Sequence, residues 1–183
     1  MIPFVGIDFG ASKAGTTAIC YLQSEWLQVV QSIKGENADQ FLRQQLDIIK
    51  PEQVFIDAPL SLPGGYFQMN DDYMFRRCDR ELSAMSPMFL GGLTARAMKL
   101  KAELKRCEFF ETYPTALARQ LEIKSYKERP PVWNDLERCL PYPLKKPSSI
   151  HGYDAVLAWL SGYRHAKSEA LEFGDEHEGV IVV

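Results

Sequence analysis

Pro3-Phe4-Val5-Gly6-Ile7-Asp8-Phe9-Gly10 is the stretch that decides the fold. It is apolar at almost every position, opened by Pro3 and closed by Gly10, with one carboxylate near its end. A strand apolar on both faces belongs in the middle of a sheet covered on both sides. A carboxylate there is destabilising unless it is paired or bound to a cation. A second run, Gln53-Val54-Phe55-Ile56-Asp57-Ala58-Pro59, ends the same way. If the two strands are parallel neighbours their axes lie roughly 4.8 Å apart, and Asp8 and Asp57 crowd one end of the sheet. Like charges that close share a proton or recruit a divalent metal. The plainer alternative is that each Asp caps the loop that follows it.

Around these two strands the chain has the size of one α/β domain: 183 residues, 46% hydrophobic. Its formal charge of −3 gives no bulk attraction to nucleic acid, though local basic patches could still bind it. There is no basic leader with a cleavage site and no apolar run of membrane-spanning length. Cys20, Cys78, Cys107 and Cys139 are scattered without metal-ligand or redox spacing. The expectation is a cytoplasmic protein with reduced thiols and no membrane partner.

Residues 10–15 form a polar, glycine-bounded loop that could cradle phosphate or simply turn the chain. Residues 16–22 and 26–32 read as strands that complete an antiparallel meander with the first. Residues 37–49 carry apolar residues at helical spacing up to Pro51. A helix there returns the chain to the Asp57 strand, beside and parallel to the first.

Residues 58–106 read as an insertion at the carboxyl end of that strand, where open α/β sheets bind ligands. It holds a Pro/Gly loop, a helix over 71–84 with Arg76, Arg77, Asp79 and Arg80, and a basic helix over 94–106 with Lys99, Lys101 and Lys105. Solvated helix faces explain these charges equally well. Residues 108–113 read as a fifth strand with Glu111 near its end. Residues 115–121 read as a short helix, and 122–147 as an irregular, basic insertion with a helical turn at 134–139. Ser149 caps the last long helix, 150–168, which is apolar on most sides. His151 and Asp154 share one of its faces. The tail is acidic over 169–178 and β-prone over 179–183, suited to pairing with a sheet edge in this chain or in a second copy, as in a homodimer.

Three strands, a helix, a strand, a helical region, a strand and a long helix resemble the ribonuclease-H-like fold, with a mixed five-stranded sheet and helices on both faces. More closely, the chain resembles a family of prokaryotic proteins of unknown function described as predicted ribonuclease-H-like nucleases. The matching pieces are Val5-Gly6-Ile7-Asp8, Ile56-Asp57-Ala58-Pro59-Leu60-Ser61-Leu62-Pro63, Arg77-Cys78-Asp79, Glu111-Thr112-Tyr113-Pro114 and Tyr153-Asp154-Ala155. His151 followed by Asp154 is also similar to the last helix of RuvC-type Holliday-junction resolvases, whose fourth-strand acid is a Glu where this chain has Asp57.

The resemblance implies metal-assisted phosphodiester hydrolysis of nucleic acid. Asp8, Asp57 and Asp154 would hold Mg²⁺ or Mn²⁺, with His151 as a further ligand or water-orienting group and Glu111 as an outer metal candidate. Arg77, Asp79, Lys99, Lys101 and Lys105 would meet the substrate. Two alternatives stay open. One is a nucleotide-binding or phosphotransfer protein related to actin-like and sugar-kinase domains, which also begin with an Asp-x-Gly strand. The other is a non-catalytic scaffold of the same fold.

Overall fold

The computed structural model describes residues 3–123 and 133–183. Strands β1 (Phe4–Asp8), β2 (Ala18–Gln23) and β3 (Trp26–Gln31) form the expected antiparallel meander. Ser24 and Glu25 turn β2 into β3 with positive φ at both positions, which suits the twist of a tight hairpin. Helix α1 (Ala38–Ile49) then carries the chain to β4 (Gln53–Asp57). Asn37 starts that helix, its Oδ1 accepting from the amides of Asp39 and Gln40. β4 lies parallel to β1, and β5 (Glu108–Thr112) lies parallel to β4.

The sheet has seven strands rather than five, in the order β3-β2-β1-β4-β5-β7-β6. The added pair is the C-terminal hairpin of β6 (Glu172–Asp175) and β7 (Gly179–Val182). β7 runs parallel beside β5, and β6 lies antiparallel outside it. The β-prone end thus pairs within this chain, and the acidic segment before it is a strand and a turn.

Helices fill both faces. Leu42 and Leu46 of α1 and Ala97, Leu100 and Leu104 at the end of α4 (Gly92–Glu103) pack on Val5, Ile7, Val54, Ile56 and Phe109. The other face carries α7 (Ile150–Ala166), whose Tyr153, Val156, Leu157, Trp159 and Leu160 are buried with Phe4, Cys20 and Phe55. Each large apolar side chain so buried contributes about 1.5–3 kcal/mol. Ser149 caps α7 through its Oγ, 3.1 Å from the Gly152 amide. A Cβ at Gly6 would lie 2.1 Å from the Trp159 amide nitrogen, so α7 sits directly on the β1 backbone.

Between β4 and β5 the chain makes a 3₁₀ turn at Gly64–Phe67 and the helices α2 (Arg77–Leu82), α3 (Pro87–Leu90) and α4. The helix expected over 71–84 is shorter. Asp72 Oδ1 accepts from the amides of Met74 and Phe75 at 2.9 Å, and that local turn competes with helix before Arg76. After β5 come α5 (Pro114–Gln120) and α6 (Asn134–Cys139). Residues 124–132 of the irregular segment expected over 122–147 lie outside the described residues. Among the described residues no helix is long and apolar enough to cross a membrane.

Candidate active site at the carboxyl end of the sheet

β1 and β4 pair with Asp8 directly beside Asp57. Alternation puts Phe4, Gly6 and Asp8 on the α7 face of β1, and Phe55 and Asp57 on the α7 face of β4. Two carboxylates therefore share one face at the ends of adjacent parallel strands. Asp8 is buried and Asp57 half-buried.

α7 crosses this end with its first turn. His151 Nδ1 lies 2.8 Å from Asp8 Oδ2. An ionised carboxylate only accepts, so the Nδ1 proton belongs to this bond, and Nε2 of a neutral ring is left as an acceptor. Burial pushes the Asp8 carboxyl above its ordinary pKa, and the hydrogen bond from His151 partly offsets this. The same bond raises the His151 pKa against its own burial, helped by the charges of Asp8 and of Asp154 one turn further on. The structure thus pairs Asp8 with His151 and sets Asp57 next to Asp8 in register, with Asp154 near enough to act on the imidazole.

Glu111 goes elsewhere. Phe110 stacks on Phe55 at 4.8 Å on the α7 side of the sheet, so Phe109 and Glu111 face the α1/α4 side, opposite Asp8 and Asp57. Both Glu111 oxygens are taken. Arg76 Nη2 donates to Oε1 at 2.6 Å, and Oε2 accepts from Arg76 Nη1 at 2.7 Å and from the Leu60 amide at 2.9 Å. Asp79 binds the other edge of the same guanidinium, accepting from Nε at 3.1 Å and from Nη2 at 2.7 Å. Burial works against charge on Arg76, but its two carboxylate partners outweigh it and hold the guanidinium firmly protonated. The metal role expected of Glu111 and the substrate role expected of Asp79 give way to this buried triad. Sequence reasoning took Arg76 for part of a solvated face. The usable signal was the Arg76 to Asp79 spacing of three, which lets the two close a helix start.

The expected basic contacts scatter as well. Arg77 is exposed and pairs with Glu81 at 2.7 Å. Lys99 faces Glu103 at 3.7 Å. Lys101 borders a groove with Glu172 and Glu176, and Lys105 sits with Glu52, Gln53 and Glu108 where β4 and β5 begin. Lys105 therefore lies at the opposite end of the sheet from Asp8 and Asp57, because α4 runs antiparallel to the strands it covers. Arg96 is bound to Asp39 and donates to the Gly10 carbonyl at 3.0 Å, bracing the 10–15 loop. The amides of Gly10 and Ala14 in that loop are used internally, by Thr17 Oγ1 and the Ala11 carbonyl.

Sequence reasoning also missed Glu178, buried in the β6–β7 turn. Its Oε1 accepts from the Gly64 amide at 3.0 Å and from Asn70 Nδ2 at 2.5 Å, and its Oε2 accepts from the Arg77 amide at 2.8 Å. The C-terminal hairpin thereby fixes the loop that follows Asp57.

Among the described residues no group of three or more His, Cys, Asp or Glu side chains is drawn together closely enough to hold a metal. The three-carboxylate convergence expected of Asp8, Asp57 and Asp154 is therefore not assembled, and Asp8 Oδ2 faces His151 instead. In kind, the adjacent oxygen donors of Asp8 and Asp57 suit a hard cation such as Mg²⁺ or Mn²⁺. No protein-family model and no curated protein matches the chain.

Proposed function

We propose that this protein hydrolyses phosphodiester bonds of nucleic acid at the Asp8/Asp57 strand ends, on a sheet of ribonuclease-H-like design. The observation that carries the reading is the register of β1 and β4. It sets two carboxylates side by side where an α/β sheet binds ligands, with an imidazole 2.8 Å from one of them. The antiparallel meander followed by parallel strands, with α7 laid across β1, supports the fold assignment.

Asp8 and Asp57 are the residues that would hold Mg²⁺ or Mn²⁺, with Asp154 joining from α7. A divalent ion so bound would stabilise charge on a phosphoryl oxygen and acidify a water. Asp8 fixes the His151 ring through Nδ1, leaving Nε2 to take a proton from a water or to return one to a leaving oxygen. Burial of Asp8 keeps this hydrogen bond out of competition with solvent. Phosphate positioning would fall to groups around the carboxyl end of the sheet, since Lys105 lies at the other end.

The test is a cleavage screen over single-stranded, duplex, hybrid and branched nucleic acids with Mg²⁺, Mn²⁺ or chelator. Wild type should cleave at least one substrate only with metal, and Asp8→Asn and Asp57→Asn should each lose about 10²-fold or more, the scale of a lost transition-state contact. Cleavage by Asp8→Asn at the wild-type rate would reject the site.

A further inference from the structure

The loop between β1 and β2 is polarised. The register sets Asp8 beside Ala18 and Ala18 beside Gln31, so residues 10–17 and 32–37 project past the same end of the sheet as Asp8 and Asp57. Every carbonyl from Gly10 to Lys13 has a donor. Arg96 Nη1 reaches Gly10 at 3.0 Å, and the amides of Ala14, Ala38 and Gly35 reach Ala11, Ser12 and Lys13 at 3.3, 2.9 and 2.9 Å. The Gly15 carbonyl accepts from Gln31 Nε2 at 2.6 Å. The amides of Ala11, Ser12 and Lys13 have no acceptor among the described residues. The carbonyls are spent within the protein, and three successive N–H groups are left over. Orphaned buried N–H groups are rare, and Ala11 and Lys13 are exposed, so these amides meet solvent or a ligand. Successive free amides attract anions.

The side chains carry the same sign. Lys13 and Lys34 are exposed, and neither has an acidic partner among the described residues. The bond from the Gly35 amide to the Lys13 carbonyl sets the two lysine segments side by side. Glu36 is the single acid in the two segments, and Asp39 just beyond is held by Arg96. The loop is also tied to the candidate site. Gln31 donates to Gly15 through Nε2, and its Oε1 accepts from Ser149 Oγ at 2.5 Å. Ser149 caps the helix whose first turn carries His151, so one side-chain amide joins the loop to that turn. Gly15, at φ +71°, packs so closely on the Lys34 backbone that a Cβ would lie 2.6 Å from its nitrogen. The loop is therefore built before any ligand arrives, which lowers the entropy lost on binding.

We propose that the 10–15 loop holds a phosphate of the nucleic-acid strand, a neighbour of the one cleaved, through the amides of Ala11, Ser12 and Lys13 and the ammonium groups of Lys13 and Lys34. The word neighbour rests on the hydrolase reading, which puts the scissile phosphate at Asp8 and Asp57. The anion site itself rests on the loop alone. A free diphosphate, as on a nucleotide, shares the chemistry and is the competing source.

The test is a titration of the backbone amides by nuclear magnetic resonance, on the whole chain and without divalent cation. The probes are a short single-stranded oligonucleotide, its uncharged methylphosphonate counterpart and pyrophosphate. The oligonucleotide should shift the Ala11, Ser12 and Lys13 amides saturably and bind more tightly than pyrophosphate, and the methylphosphonate should leave them unmoved. Lys13→Ala, at an exposed and unpaired position that leaves folding intact, should weaken binding about tenfold, the scale of one hydrogen bond to a charged group. It should also make the salt dependence shallower by about 0.7 in log–log slope. Lys105→Ala removes the same charge at the opposite end of the sheet and should bind like wild type. The assignment is overturned if the three amides stay unmoved by every probe, or if the methylphosphonate shifts them as the diester does. Pyrophosphate binding as tightly as the oligonucleotide, or equal losses in Lys13→Ala and Lys105→Ala, would overturn it too. Loop binding without any cleavage removes the hydrolase reading alone, and cleavage with unmoved amides removes the loop assignment alone.

Discussion

Arg76 and Glu111 meet through two parallel hydrogen bonds, at 2.7 and 2.6 Å, with the guanidinium fully buried and the carboxylate nearly so. With Asp79 on the other edge of Arg76, one cation answers two carboxylates deep beneath α2. Removing the cation should be far worse than removing either anion. Arg76→Ala leaves two buried carboxylates uncompensated and is expected to lose about 3–5 kcal/mol of unfolding free energy. Arg76→Lys should recover only part, since an ammonium cannot span both forks. Urea denaturation measures this, and an Arg76→Ala midpoint equal to wild type would contradict the triad's role.

Gly6 is the second point of sensitivity. A methyl there meets the Trp159 amide nitrogen at 2.1 Å and the Ala155 carbonyl oxygen at 2.5 Å, both backbone atoms that cannot rotate aside. Gly6→Ala should cost about 1–3 kcal/mol or more as α7 lifts from β1. The lift also draws His151 away from Asp8, so the His151 pKa should fall toward its ordinary value of 6.5. Nuclear magnetic resonance titration of the imidazole checks the second effect. An unchanged pKa in a destabilised variant would show that the helix did not move.

The His151 pKa is raised first by its hydrogen bond to Asp8, against the opposing effect of burial. A raised folded pKa means that the fold favours the protonated ring. Its stabilisation is fully present below about 6.5 and is lost as pH rises through the higher folded value. In metal-free buffer, the Tm of wild type should fall relative to that of His151→Asn across that window. Asp8→Asn should flatten the same interval. Parallel Tm profiles for wild type and His151→Asn would refute the coupling.

Glu178 gives a test at the far edge of the sheet. Glu178→Ala strands the buried amide of Gly64, a loss of about 1–3 kcal/mol for an unsatisfied buried donor, and removes the acceptor of the part-buried Arg77 amide. The variant should be destabilised, and hydrogen exchange should rise at 64–77 before it rises in β1. Removal of everything after Ser168 takes out β6 and β7 together and should prevent folding. A truncated chain that melts cooperatively near the wild-type Tm would show the hairpin to be dispensable.

Much of this arrangement was legible because certain residues admit few readings. Two apolar strands ending in Ile-Asp fixed the β1/β4 pairing, and Ser149 fixed the start of the last long helix through its side-chain oxygen. β6 was not legible, because Glu172-Phe173-Gly174-Asp175 has the composition of a solvated tail and becomes a strand only through pairing with β7. Glu111 was misassigned because Phe109 and Phe110 are both apolar, so alternation along β5 does not reveal which face Glu111 takes. The end of the sheet that Lys105 occupies depends on the direction of α4, which the helical pattern leaves open. Arg76 was hidden by the rule that arginines stay in water, a rule that buried partners overturn.

The place of β7 next to β5 has a consequence for how the protein is made. β7 follows β6 in the chain, yet it lies inside the sheet between β5 and β6. Asp8 likewise waits for His151, 143 residues later in the chain. A nascent chain halted before Glu172 carries β5 with one edge unpaired and the loop after Asp57 without its Glu178 anchor. Such pairing between distant segments slows folding and prolongs the exposure of sticky edges. The sheet therefore closes only after β7 has emerged, and chaperone occupancy should peak on nascent chains that carry β5 but not yet β6 and β7.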